Sequence, residues 1–200
     1  IRTIYNYQPI SKPEIAKRLG LTTPSVHNFI NELMQQGIVM ESGMSESTGG
    51  RKAVFYTLNP DCGYLIGVNI TADHFLTVVF NMRLKLLYLK KHPIYREYKP
   101  KALNDFQAAI ELALRETGVP AEKILGIGIS VPGLVNHDTG DIRLIPQMPG
   151  WDNVPLKAYL EEQLGIPVIV DNNANGMALS EMWMAPQVSR SVSVIVARIG

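Results

Sequence analysis

The sequence predicts an α/β chain headed by a small, mostly helical domain, and three observations predict it. Residues 11–37, SKPEIAKRLGLTTPSVHNFINELMQQG, read as two short helices joined by a tight Gly-containing turn. Two short strand-like runs follow, around a polar glycine-bearing segment. From residue 64 onward, three strand runs come first and strands then alternate with helices. The boundary falls at Asn59-Pro60-Asp61, a turn signal, giving domains at 1–60 and 61–200.

In chain order, residues 1–7 (IRTIYNY) begin in a helical pattern without a cap. Ser11 and Glu14 match a capping box, and Ile15, Ala16 and Leu19 supply one apolar face. Gly20 ends that helix because it tolerates left-handed geometry. Thr23 caps the next helix, with Pro24 at its first position. Val26, Phe29, Ile30, Leu33 and Met34 recur at helical spacing and face inward, and Gly37 ends the helix. The opposite face carries Thr23, Ser25, His27, Asn28 and Asn31, short hydrogen-bonding groups suited to base edges and phosphates.

Ile38-Val39-Met40 and Ala53 to Leu58 then form a β-hairpin wing. Its tip, Gly49-Gly50-Arg51-Lys52, sets two cations beside backbone with almost no side-chain bulk, which suits a narrow minor groove. The arrangement is a winged helix-turn-helix, and its partner is operator DNA. Residues 1–58 hold six basic and four acidic side chains, the remainder thirteen and fourteen. The bias toward DNA is therefore mild, and phosphate contact rests on few side chains.

The second domain predicts strands at 64–70, 75–80 and 84–91, a helix at 101–117 and a buried strand at 124–130 ending in Val-Pro-Gly. A helix at 156–164, a strand at 167–170, a helix at 176–184 and a strand at 192–197 complete it. His137 and Asp138 fall in the solvated turn NHDTGD rather than in a metal site. The single cysteine, Cys62, excludes an internal disulfide and a cysteine zinc cluster. With no secretory signal and no apolar run of membrane length, the expected location is cytoplasmic. Both ends read as cut, so the chain reads as a fragment.

GIGISVPGLVNHDTGDI and PGWDNVPLKAYLEEQLGIPVIVDNNANGMALSE, with the GGRK wing and the NPDCGYLIGVNI junction, resemble the ROK family of repressors and sugar kinases, xylose repressors included. The resemblance covers nearly the whole chain. It implies an actin-like (ribonuclease H-like) half-domain, truncated at the C-terminus, behind the winged helix. It also implies sugar binding through Gly133, Asn172 and Asn173, with Pro132 and Trp151 near the wall. Trp151 is expected to pack within its loop and Asn175 to cap a helix.

Two departures from the family's kinases stand out. Their Gly-Gly-Thr phosphate loop, preceded by Asp, is matched here by Asn69-Ile70-Thr71-Ala72-Asp73, where the Asp73 charge repels phosphate. Their Asn-Asp pair is matched by Asn172-Asn173, and an amide cannot serve as general base. Asp171, one residue earlier, is the alternative base. The implied family zinc motif lies beyond Gly200, so no cofactor is expected within these residues.

The expected protein is a sugar-responsive repressor that binds a palindromic operator as a homodimer, with no enzyme activity. The rival readings are a sugar kinase with an appended DNA-binding domain and a repressor controlled by a protein partner.

Overall fold

The computed structural model describes residues 1–44, 53–94 and 101–184. The chain divides into two compact units, Ile1–Gly63 with Asn81–Lys85, and Tyr64–Phe80 with Leu86–Gly200.

The first unit holds α1 (Arg2–Tyr7), β1 (Ile10–Ser11), α2 (Lys12–Leu19), α3 (Thr23–Gln35), β2 (Val39–Met44) and β3 (Val54–Leu58). The strands form one sheet in the order β1-β3-β2, with antiparallel pairing throughout. Ile4, Ile10, Ile15, Ala16, Val26, Ile30, Val39, Tyr56 and Leu58 make its core. Each buried Ile or Leu contributes about 1.5–3 kcal/mol relative to exposure. Gly20 closes α2 at φ 66°, as its place in the sequence predicts.

Four local expectations are corrected. Ser11 stands at the N-cap of α2 but makes no capping bond through its side chain. It pairs with Phe55 in β1 instead, and Glu14 is drawn to Arg18 one turn later at 2.9 Å. The N-cap of α3 is Thr22 and not Thr23; its side chain accepts from the Ser25 N–H at 3.3 Å. Phe29 does not face inward and is 55% exposed. The inward face of α3 is centred on Val26 and Ile30, and Phe29 lies at its margin. Leu19, at the last position of α2 beside the Gly20 turn, is also exposed.

The second unit is built on a five-stranded sheet, order β10-β7-β4-β5-β6. Its strands are β4 (Tyr64–Ile70), β5 (His74–Asn81), β6 (Leu86–Pro93), β7 (Ile124–Val131) and β10 (Val168–Asn172). β4, β7 and β10 are mutually parallel, and β5 runs antiparallel to β6. A small hairpin, β8 (Leu134–Val135) with β9 (Ile142–Leu144), follows β7; periodicity over so few residues does not reveal it. The helices are α4 (Lys101–Thr117), α5 (Leu156–Leu164) and α6 (Asn173–Met184).

α4 and α5 pack together, α4 against β6 and α5 against β10. Phe106 on α4 meets Phe75 edge-on at 4.8 Å, and Trp151 lies 6.0 Å away. Trp151 is fully buried, the loop-packing role its surroundings predict. Strand alternation puts Ile66, Val68 and Ile70 in the core and Leu65, Gly67 and Asn69 on the other face. The strand expected at 192–197 lies outside the described residues. Among the described residues, no helix is long and apolar enough to cross a membrane.

Candidate functional site

In the first unit, α3 presents the polar residues singled out from the sequence. Pro24 in its first turn costs no hydrogen bond, and the Thr22 cap fixes where the helix starts. Asn59 anchors the other end: its Nδ2 donates to the Gly37 carbonyl at 2.8 Å and its N–H to the Ile38 carbonyl at 2.9 Å. The helix is thereby held to the base of the hairpin.

Among the described residues, the predicted contact residues fall into three states. Thr23 and Asn28 are exposed at the surface of α3. The Ser25 hydroxyl lies 2.9 Å from the Thr22 hydroxyl, so cap and site share one hydrogen bond. His27 and Asn31 are joined in a network with Lys12. Lys12 Nζ lies 3.0 Å from His27 Nδ1 and donates to Asn31 Oδ1 at 3.4 Å, while Asn31 Nδ2 lies 2.9 Å from His27 Nε2. Gly49, Gly50, Arg51 and Lys52 lie outside the described residues.

Lys12 is the residue that sequence reasoning missed. Among the described residues it makes no ion pair; it is held by His27 and Asn31, and it lies 5.0 Å from the centre of the Tyr56 ring. Arg18, by contrast, is paired with Glu14 and stacked 3.6 Å from the Tyr7 ring centre. A cation without a carboxylate partner keeps its charge for an anion. No local signal distinguishes Lys12, because its partners lie 15 and 19 residues away.

In the second unit, the C-terminal ends of β7 and β10 bring Gly133, Asn172 and Asn173 together. Adjacent parallel strand ends are where open α/β sheets bind ligands. A Cβ on Gly133 would collide with the Leu144 carbonyl and with Ile145, so only glycine lets the loop pass there. Asn172 Nδ2 donates to the Gly133 carbonyl at 2.6 Å, and Asn172 Oδ1 accepts from the Ala174 N–H at 2.8 Å. Asn172 is thus the cap of α6 and the strut of the loop, which corrects the capping role expected of Asn175. Asn175 donates instead to the Asp171 carboxylate at 2.8 Å.

Asn173 is different. Its Oδ1 is buried and has no hydrogen-bond partner among the described residues. It lines a cavity of about 360 Å³ with Asn69, Ser130, Gly176, Met177 and Ser180. Ser130 Oγ donates to Asn69 Oδ1 at 2.7 Å. The lining is neutral and hydrogen-bonding, with no cation in it. A buried acceptor without a donor is costly until a ligand supplies one. Next to the cavity, Gly67 and Gly128 floor an open groove of about 350 Å³ walled by Leu76, Val78 and Ile169.

The turn between β4 and β5 is closed on itself. Thr71 Oγ1 donates to the His74 carbonyl at 2.7 Å or to Asp73 Oδ1 at 2.8 Å, and His74 Nδ1 lies 2.8 Å from the same carboxylate. Hydrogen bonds from Thr71 and then His74 hold the Asp73 carboxyl below its usual range, so it is ionised at neutral pH. The turn thus carries a fixed negative charge and disfavours phosphate beside it.

Asp171 accepts from the Asn172 N–H at 2.7 Å as well as from Asn175, and His137 Nδ1 lies 3.8 Å away. Asp138 is held in its turn by the Asn136 side chain at 3.0 Å. Among the described residues, no group of three His, Cys, Asp or Glu side chains could hold a metal ion.

Comparison with known proteins fits both units. Residues 65–200 match the model of the ROK family, and residues 1–40 match that of a winged helix-turn-helix DNA-binding domain. A putative xylose repressor of Caldicellulosiruptor sp. (strain Rt8B.4) is 34% identical over 184 residues, which are 92% of this chain and 46% of the relative. This chain therefore spans about half the length of the curated relatives it matches. The crystal structure of a ROK family transcriptional regulator, a homolog of the E. coli MLC protein, superimposes with a TM-score of 0.70. It covers 90% of this chain and 46% of its own at 23% identity, a likeness of fold alone. A ROK hexokinase from Thermus thermophilus superimposes with a TM-score of 0.53 at 31% identity, over 60% of this chain and 38% of its own.

Proposed function

This chain belongs to the ROK family and carries a winged helix-turn-helix domain, and from that premise we propose that it serves a sugar-responsive transcriptional repressor. α3 reads operator DNA in the major groove, and a homodimer matches a palindromic operator. The second unit senses a sugar and performs no phosphoryl transfer.

The observation that carries the sensor reading is Asn173. Its buried Oδ1 lacks a donor among the described residues, and Asn173 lines a cavity whose other polar groups are an amide and hydroxyls. A sugar hydroxyl supplies that donor, and an amide does not take the proton away. The ionised Asp73 turn opposes phosphate nearby in the sequence pattern of the kinase loop. Substrate recognition without a base or a phosphate cradle is sensing.

The relative named a putative xylose repressor makes a xylose-like pentose the first sugar to try. Sugar binding changes operator affinity only as far as the sugar prefers one protein arrangement over another. A thermal-shift panel on the intact protein with xylose, glucose and N-acetylglucosamine tests the sensor. Stabilisation by one sugar supports it, and no shift with any sugar favours control by a protein partner. The kinase reading draws on the hexokinase likeness. ADP release above background with any sugar of the panel would establish it and refute ours.

A further inference from the structure

Within α3, Phe29 is the large apolar side chain left exposed, at 55%. Its neighbours one turn away on the helix are polar Ser25 at i−4 and Glu32 at i+3, half-buried Leu33 at i+4 and buried Val26 at i−3. Val26 and Ile30 commit the adjoining face of α3 to the core. A protein-binding face would show a contiguous exposed apolar patch; within α3, Phe29 stands alone as an exposed large apolar side chain. The major groove answers that pattern. Its base edges are polar except for the thymine 5-methyl, the one apolar feature a recognition helix meets there.

We propose that Phe29 packs on a thymine methyl in the operator and so specifies thymine at one position of each half-site. The inference rests on the DNA-binding reading above. Ser25 and Asn28, beside it on α3, are placed to hydrogen-bond the adjoining base edges or phosphates. Helical phase then puts the thymine next to the bases those residues read. Its apolar character at helical spacing in the sequence points to the core.

The test uses the intact protein and a duplex selected by it from a randomised DNA pool. Each thymine of the selected site is replaced in turn by uracil, which deletes only the methyl, and affinity is measured by gel shift. One position per half-site should weaken wild-type binding about fourfold, the loss of one buried methyl. In Phe29→Ala the same replacement should have no effect, while Phe29→Leu should keep part of it. Circular dichroism checks that both variants fold, which the ring's exposure predicts.

A wild-type protein indifferent to uracil at every position overturns the inference, and so does a uracil effect that persists in Phe29→Ala. Loss of oligomeric state in Phe29→Ala with the uracil effect intact assigns the ring to a protein interface and overturns it equally. A wild-type protein that selects no sequence refutes the DNA-binding reading itself, which is a distinguishable failure.

Discussion

Asn172 donates from Nδ2 to the Gly133 carbonyl at 2.6 Å, joining two segments 39 residues apart. Its other end accepts from Ala174 N–H at 2.8 Å. One side chain therefore ties the loop after β7 to the start of α6, where Asn173 lies. Asn172→Ala should cost about 1–3 kcal/mol in chemical denaturation, because it removes a helix cap and a part-buried hydrogen bond together. Asn172→Asp keeps the cap but sets a carboxylate against the Gly133 carbonyl; it should lose sugar binding more than stability. Full sugar binding retained in Asn172→Asp would show that the strut to Gly133 is unimportant.

Asn173→Asp restores a carboxylate where the family's kinases carry one. The turn from Thr71 to His74 still places ionised Asp73 where a phosphate loop would be. A coupled assay should show no ADP release with any sugar, while sugar affinity stays within about threefold, since either side chain accepts a hydroxyl proton. Turnover in this variant would mean that one substitution separates sensor from enzyme.

Thr22 and Thr23 offer a paired test of the cap. Thr22→Ala should lower stability by about 1 kcal/mol and weaken DNA binding, since Ser25 loses both its backbone and hydroxyl partner. Thr23→Ala should leave stability within about 0.5 kcal/mol. Thermal denaturation of the two variants side by side decides it.

Lys12→Ala should weaken binding to all duplexes alike and leave sequence preference intact. If Lys12 neutralises one phosphate, the slope of log affinity against log salt should fall by about 0.9. An unchanged slope with altered preference would mean that Lys12 acts by orienting His27 and Asn31 instead.

Much of this was legible in the sequence. The strand at 64–70 and the helix at 101–117 fall to the residue where the sequence predicts them. Asn172 reaches Gly133 and caps α6, so it serves the protein, while Asn173 holds a buried acceptor without a donor among the described residues. The errors have local causes. Thr22 and Thr23 are equally good caps, and only backbone geometry separates them. Phe29 fits the helical spacing of the core with Val26, Ile30 and Leu33, and only the packing leaves it exposed. β8 and β9 are too short for periodicity, and the roles of Lys12 and Asn172 depend on partners far along the chain.

The central claim is that a sugar in the second unit alters DNA binding without chemistry. Its most direct test is a fluorescence-anisotropy titration of the intact protein on the selected duplex, with no nucleotide present, with and without saturating xylose. We predict at least about a tenfold change in operator affinity, a coupling of about 1.4 kcal/mol, within the usual range for linked sites. Operator affinity unchanged by xylose, although calorimetry shows the sugar bound to the same protein, would contradict the account.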